Sequence, residues 1–146
     1  MKISLGCDHG AYALKEHLKS HLTRQGHEIV DCGTYSTDSC HYPTFGEAAA
    51  REVASGNCER GIVLCTTGIG ISISANKVKG IRCALCRDLL SATLTRQHNN
   101  ANVLALAGGF TAPFEAEKIV DAFLTTEFEG GRHATRVDMM MEIENR

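Results

Sequence analysis

Five short runs, KISLG, EIVDCG, GIVLC, IRCAL and NVLALAG, are nearly continuous in apolar residues, and longer stretches with helical apolar spacing separate them. Strict polar/apolar alternation would mark strands with one wet face; its absence predicts strands buried on both faces. After the first run, Tyr12, Leu14, Leu18 and Leu22 recur at helical spacing. This β-α-β rhythm predicts an α/β fold, a three-layer αβα sandwich with five parallel strands between helices. Two last segments, TAPFEAEKIVDAFLTTEF and GGRHATRVDMMMEIENR, read as helices with no strand after them, interrupted at Gly130 and Gly131. The extra C-terminal helix carries Val137, Met140, Met141 and Ile143, an apolar set that needs a surface on this chain or on a second copy.

With 146 residues and 43% hydrophobic composition, the chain is expected to form one domain, 1–146. Its formal charge is −2 with both signs interspersed, so no global field draws it to nucleic acid or an acidic membrane, and a small-molecule partner is expected. The amino terminus, MKISLGCDHG, soon reaches charged residues, and no later run approaches the roughly 18 apolar residues of a membrane span. Seven scattered cysteines in a chain of this size read as reduced thiols in a cytoplasm. The expectation is a soluble, unprocessed protein. The CALC spacing at 83–86 lies in a strand-like run where positions three apart face opposite ways, so core packing is expected there rather than a shared metal.

Ligands of open parallel sheets bind outside the carboxyl ends of the strands. Asp8-His9-Gly10 follows the first strand, Cys65-Thr66-Thr67-Gly68-Ile69-Gly70 follows the third, and RQHNNAN, with His98 and Asn99, precedes the fifth. These residues are expected to converge on one rim. Each has a plain structural reading alone: Asp8 as a helix cap, Cys65 as a small core residue, His98 as a surface histidine closing a helix. Together they point to a site. The named glycine motifs fail, since Ile73 stands where a dinucleotide fingerprint needs glycine and SANKV lacks the Walker Gly-Lys-Ser/Thr. What remains is a loop of N–H donors beside a thiol, able to stabilise an oxyanion that develops during reaction. Cys65 could serve as nucleophile or proton shuttle, and spacing does not decide whether His9 or His98 serves it. Arg132 and Arg136, four apart on one helical face with Cβ atoms about 5–6 Å apart, are spaced to clamp a phosphate. The plainer reading is a solvated basic face balanced by Glu127 and Glu129.

GCDHGAYALK, DCGTYS, HYPTFGEAAA, CTTGIGISISANKVKGIRCAL, SATLTRQHNNANVLAL and FEGGRHATRV, in that order, make the chain closely similar to the ribose-5-phosphate isomerase B family, which includes galactose- and allose-phosphate isomerases. The resemblance implies a Rossmann-like sheet and aldose–ketose isomerisation of a sugar phosphate without metal or organic cofactor, within the pentose phosphate pathway if ribose 5-phosphate is the substrate. It implies a homodimer with shared active sites, which could pair further into a tetramer. Cys65 then corresponds to the base that moves a proton between C1 and C2 through an enediolate, and Thr67 and His98 to ring-opening positions. Asn99 and the amides of Gly68, Ile69 and Gly70 would hold the oxyanion. Asp8 and Tyr42 match sugar-hydroxyl contacts; His9, Arg132 and Arg136 match phosphate contacts. In the family, His98, Asn99 and the tail arginines come from the other subunit.

Two positions depart from the family pattern. Gly109 in LAGGFTAP stands where many relatives have a phosphate-binding arginine, and Thr66 where glycine commonly follows the cysteine. Both bear on substrate choice, leaving a hexose phosphate or a four-carbon sugar phosphate as alternatives to ribose 5-phosphate. A sugar-phosphate sensor would be the non-catalytic alternative, but it would need phosphate contacts and no proton-transfer base.

Overall fold

The computed structural model describes residues 1–146. Its strands are β1 (Lys2–Cys7), β2 (Glu28–Asp31), β3 (Arg60–Cys65), β4 (Cys83–Leu85) and β5 (Val103–Ala107). Its helices are α1 (Tyr12–Arg24), α2 (Tyr42–Ala54), α3 (Ile69–Asn76), α4 (Leu89–Asn99), α5 (Pro113–Thr125) and α6 (Arg132–Glu142). All strand pairs are parallel, in the order β2-β1-β3-β5-β4. The expected three-layer sandwich with an extra C-terminal helix is what the chain forms. No helix is long and apolar enough to cross a membrane.

Successive residues of β3 face opposite layers, as the two-residue period of a strand requires. Ile62 and Leu64 pack with Leu14, Leu18 and Leu22 of α1 and with Phe123 of α5, while Val63 and Cys65 pack with Ala49 of α2 and Ile71 of α3. Burial of each such aliphatic side chain contributes about 1.5–3 kcal/mol, so two filled layers explain why the strand runs lack polar alternation. β4 is shorter than the IRCAL run suggests, because Arg82 N–H donates to the Asn102 side chain at 2.8 Å and Ile81 N–H to Val78 O at 3.2 Å instead of extending the ladder.

Lys15 is fully buried. Its Nζ lies 2.5 Å from Asp31 Oδ1 and donates to Thr34 O at 2.7 Å, tying α1 to the loop after β2. That loop returns to β1 through Cys7 N–H to Gly33 O at 2.7 Å and Thr34 N–H to Cys7 O at 2.8 Å. Burial works to raise the Asp31 carboxyl, but hydrogen bonds from Lys15, Lys19 and Gly33 outweigh it and hold the group below the usual carboxylate value.

The tail helix α6 packs beside α4. Val137 is buried there, whereas Met139, Met140 and Ile143 stay exposed. The apolar face predicted for this helix is therefore only partly covered by its own chain. A cavity of about 460 Å³ lies under it, between Cys83, Ala101, Met140 and Met141.

Candidate active site

Cys65 is the last residue of β3, and its side chain is both a core member and a cavity wall. The residue is 5% exposed, and its Sγ accepts the Gly68 N–H at 3.2 Å. Gly68 has φ 74°, the left-handed region that glycine enters without strain. A Cβ there would lie 2.5 Å from Leu85 Cδ1 and 2.9 Å from the Leu106 carbonyl. Only glycine can therefore turn the chain tightly enough to bring this amide back to the sulfur. The helix α3 starts at the next residue, and N–H groups of its first turn have no backbone partner inside the helix. Thr67 Oγ1 steadies the turn by accepting the Ile69 N–H at 3.2 Å.

A cavity of about 380 Å³ is lined by Cys65, Thr66, Thr67, Ile69 and Gly70, with Asp8 and Tyr42 across from them. Asp8 is the cap expected from its position: its Oδ1 accepts the Gly10 N–H at 3.0 Å, and the residue still lines the cavity. The Tyr42 ring lies on Gly70, where a Cβ would come within 2.5 Å of it. His9 is exposed beside Asp8, and its Nδ1 accepts the Cys40 N–H at 3.2 Å. All seven cysteines are free thiols. Burial pushes the Cys7 thiol up to about 12 and Cys32 to about 11, and raises Cys58, Cys83 and Cys86 as well. Those five are packing residues; Cys65 is distinguished by a sulfur facing a backbone donor and a cavity.

His98 and Asn99 do not join this rim. They end α4 just before β5 begins at Val103, and Val103 pairs with Gly61 near the start of β3, whereas Cys65 pairs with Ala107. Residues that precede a parallel strand lie at its amino end, so within one chain these side chains are separated from Cys65 by the length of β5, roughly 13 Å at about 3.3 Å per residue. The expectation of a single rim within the chain is corrected on this point.

At the amino end a second cluster forms. Arg132 and Arg136 sit on α6 as predicted, both exposed. His133 between them is buried, and its ring stacks on His98 with centroids 4.3 Å apart and planes 12° apart. Two arginines anchor the end of α4: Arg82 donates to Asn99 O at 3.2 Å and Asn100 O at 2.8 Å, and Arg96 to Ala101 O at 2.6 Å. Sequence reasoning passed over Arg82, Arg96 and His133. For His133 the signal was its place between the two arginines it had singled out; for the anchoring arginines there was none.

Thr66 and Gly109 prove to be one feature. Gly109 N–H donates to Thr66 O at 2.9 Å, and a Cβ at Gly109 would meet Thr66 Cγ2 at 2.9 Å. Gly10 lies on the other side, its Cβ position 2.2 Å from Thr66 Oγ1. Thr66 is thus wedged between two positions that must lack side chains, and an arginine at 109 would have to displace it.

A parallel αβα sandwich with a thiol and a backbone amide at a strand end is of the class of open α/β proteins whose ligands bind outside the carboxyl ends of the strands. Comparison with known proteins narrows the class. A family model described as Ribose/Galactose Isomerase matches residues 3–140. Ribose-5-phosphate isomerase B of Escherichia coli (strain K12) is 45% identical over 145 residues, covering 99% of this chain and 97% of that protein. Galactose-6-phosphate isomerase subunit LacB of Clostridium acetobutylicum is 47% identical over 129 residues, covering 88% and 75%. Among solved structures, ribose-5-phosphate isomerase B of Clostridium thermocellum superposes with TM-score 0.98 at 50% identity over 99% of this chain and 98% of that one. The Mycoplasma genitalium enzyme with bound ribulose 5-phosphate does so with TM-score 0.94 at 39% identity over 99% and 97%. The chain belongs to the Ribose/Galactose Isomerase family.

Proposed function

We propose that this sugar-phosphate isomerase interconverts ribose 5-phosphate and ribulose 5-phosphate, with Cys65 as the proton-transferring base. The observation that carries the reading is the Cys65 sulfur held 3.2 Å from the Gly68 amide at the mouth of a cavity shared with Asp8 and Tyr42. As a thiolate, Cys65 removes the C2 proton of the open aldose; the electron pair forms the C1–C2 double bond, and the carbonyl oxygen becomes the enediolate oxyanion. Amides of Gly68, Ile69 and Gly70, with Asn99, receive that charge; the proton of the C2 hydroxyl passes to the C1 oxygen, and as the C2 carbonyl forms Cys65 returns its proton to C1. Losing one such donor costs about 10²–10³ in rate in comparable sites. His98 and Thr67 open the sugar ring, while His9, Arg132 and Arg136 bind the phosphate.

This assignment requires two copies of the chain. His98, Asn99, Arg132 and Arg136 sit at the amino end of the sheet and Cys65 at the carboxyl end, so one site draws its thiol from one protomer and its imidazole and arginines from the other. Ile69 and Ile73 beside the cavity, and Leu90, Met139 and Ile143 on α4 and beyond, are exposed apolar residues that such a dimer would cover. A relative named for galactose 6-phosphate and the Thr66–Gly109 pair favour a second reading, a hexose 6-phosphate as substrate. Assaying aldose phosphates of four to six carbons for ketose formation decides between them. The expected result is highest kcat/KM on ribose 5-phosphate and none after Cys65→Ala; preference for a hexose 6-phosphate selects the second reading, and retained turnover in the variant removes Cys65 as base.

A further inference from the structure

The imidazole that opens the ring under the proposed function is not a free surface group. One face of His98 is covered by His133, nearly parallel at 4.3 Å between centroids. His133 is itself buried, while His98 is half exposed and so is the member of the pair that can meet a ligand. The donor atoms of His98, Glu129 and His133 lie within 4.8 Å of one another, a grouping that could suggest a metal. Parallel rings argue otherwise. Imidazole lone pairs lie in the ring planes, so two stacked rings point theirs side by side instead of converging on one ion.

Stacking has two consequences for an acid–base residue. It fixes the plane of the His98 ring on the end of α4, where Arg82 and Arg96 already hold the backbone. It also prevents both rings from carrying a proton together, because like charges so close repel. The groups facing His133 are His98 on α4, Glu129 in the preceding loop, and Arg132 and Arg136 on its own helix. Burial, His98 and the two arginines lower its proton affinity, and Glu129, 3.6 Å away, opposes them only in part.

We propose that His133 is a positioning residue for ring opening: stacked on one face of His98, it holds that imidazole in plane at the end of α4. This rests on the reading of His98 as the ring-opening group. It predicts a split between cyclic and open-chain substrates, since ribulose 5-phosphate, whose C5 oxygen carries the phosphate, cannot close a furanose ring on C2 and needs only the Cys65 step.

The test uses the full-length protein with His133→Ala and His133→Phe, the second retaining an aromatic face. Two reactions are followed across pH: ketose formation from ribose 5-phosphate, and washout of the C1 hydrogen of ribulose 5-phosphate into solvent. For His133→Ala the expected result is a loss of about 10-fold in kcat/KM on ribose 5-phosphate with a displaced pH profile, washout staying within about 2-fold. His133→Phe should recover most of the ribose 5-phosphate rate. If both reactions fall together, His133 merely supports the fold or the subunit contact, and if neither falls it has no role; either overturns the proposal. Absence of washout in the unmodified protein would instead overturn the proposed function.

Discussion

At the carboxyl end of β3 a left-handed glycine fixes a backbone amide beside a nearly buried thiol, in a cavity shared with Asp8, Thr66 and Thr67. At the amino end of β5 the polar groups are long cationic and imidazole side chains, exposed or half exposed apart from the buried His133, with the end of α4 anchored from behind by Arg82 and Arg96. The first arrangement has little freedom to move, which suits stabilisation of a charge that appears only during reaction. The second reaches outward, which under the proposed function suits capture of a phosphate and access to a ring oxygen held by another copy. Under the proposed function neither end is sufficient alone.

Substitutions can break this contrast at either end. Cys65→Ala should have the largest effect, lowering isomerisation by at least about 10²–10⁴-fold while sugar-phosphate binding stays measurable by calorimetry. Lys15→Met should then be the most damaging change outside the reacting groups, costing about 3 kcal/mol by leaving Asp31 without its buried partner. Hydrogen exchange should report that loss first in the 32–35 loop. The same pair sets an acid limit. The Asp31 carboxyl is held below its unfolded value of about 3.9, so its contribution to stability is complete above that pH and disappears as pH falls through the lower folded value. Acid unfolding of Lys15→Met should show a shallower dependence there.

At the amino end, Arg132→Ala and Arg136→Ala should each raise KM by about 10-fold with smaller changes in kcat, and the penalty should shrink as ionic strength rises. Thr66→Gly should have the smallest effect on ribose 5-phosphate, about 2–5-fold in kcat/KM, since it deletes a wall and no reacting group. Gly109→Arg should be tolerated only together with Thr66→Gly, which thermal melts of the single and double variants would reveal as non-additivity.

The layered fold was legible because strands covered on both faces must be apolar throughout, and Ile62, Val63 and Leu64 satisfy that on alternate sides. The carboxyl rim was equally legible, since Asp8 follows β1, Cys65 ends β3 and Gly68 lies in the loop after it, and a parallel sheet fixes the direction of both strands. His98 and Asn99 were misplaced onto that rim by ignoring that residues before a strand lie at its other end. The His98–His133 stack could not be read from the chain at all. It depends on α6 lying against α4 across 34 intervening positions, a packing that no local pattern encodes.

The central claim, that each working site joins the carboxyl end of one chain to the amino end of another, is tested most directly by mixing two inactive variants. Cys65→Ala and His98→Ala protomers, unfolded together and refolded at equal concentration, should form mixed dimers with one intact site each. Random pairing predicts recovery of about a quarter of the unmodified activity. No recovery from a mixture that demonstrably contains mixed dimers would mean that Cys65 and His98 of the same chain serve one site, and would contradict the account.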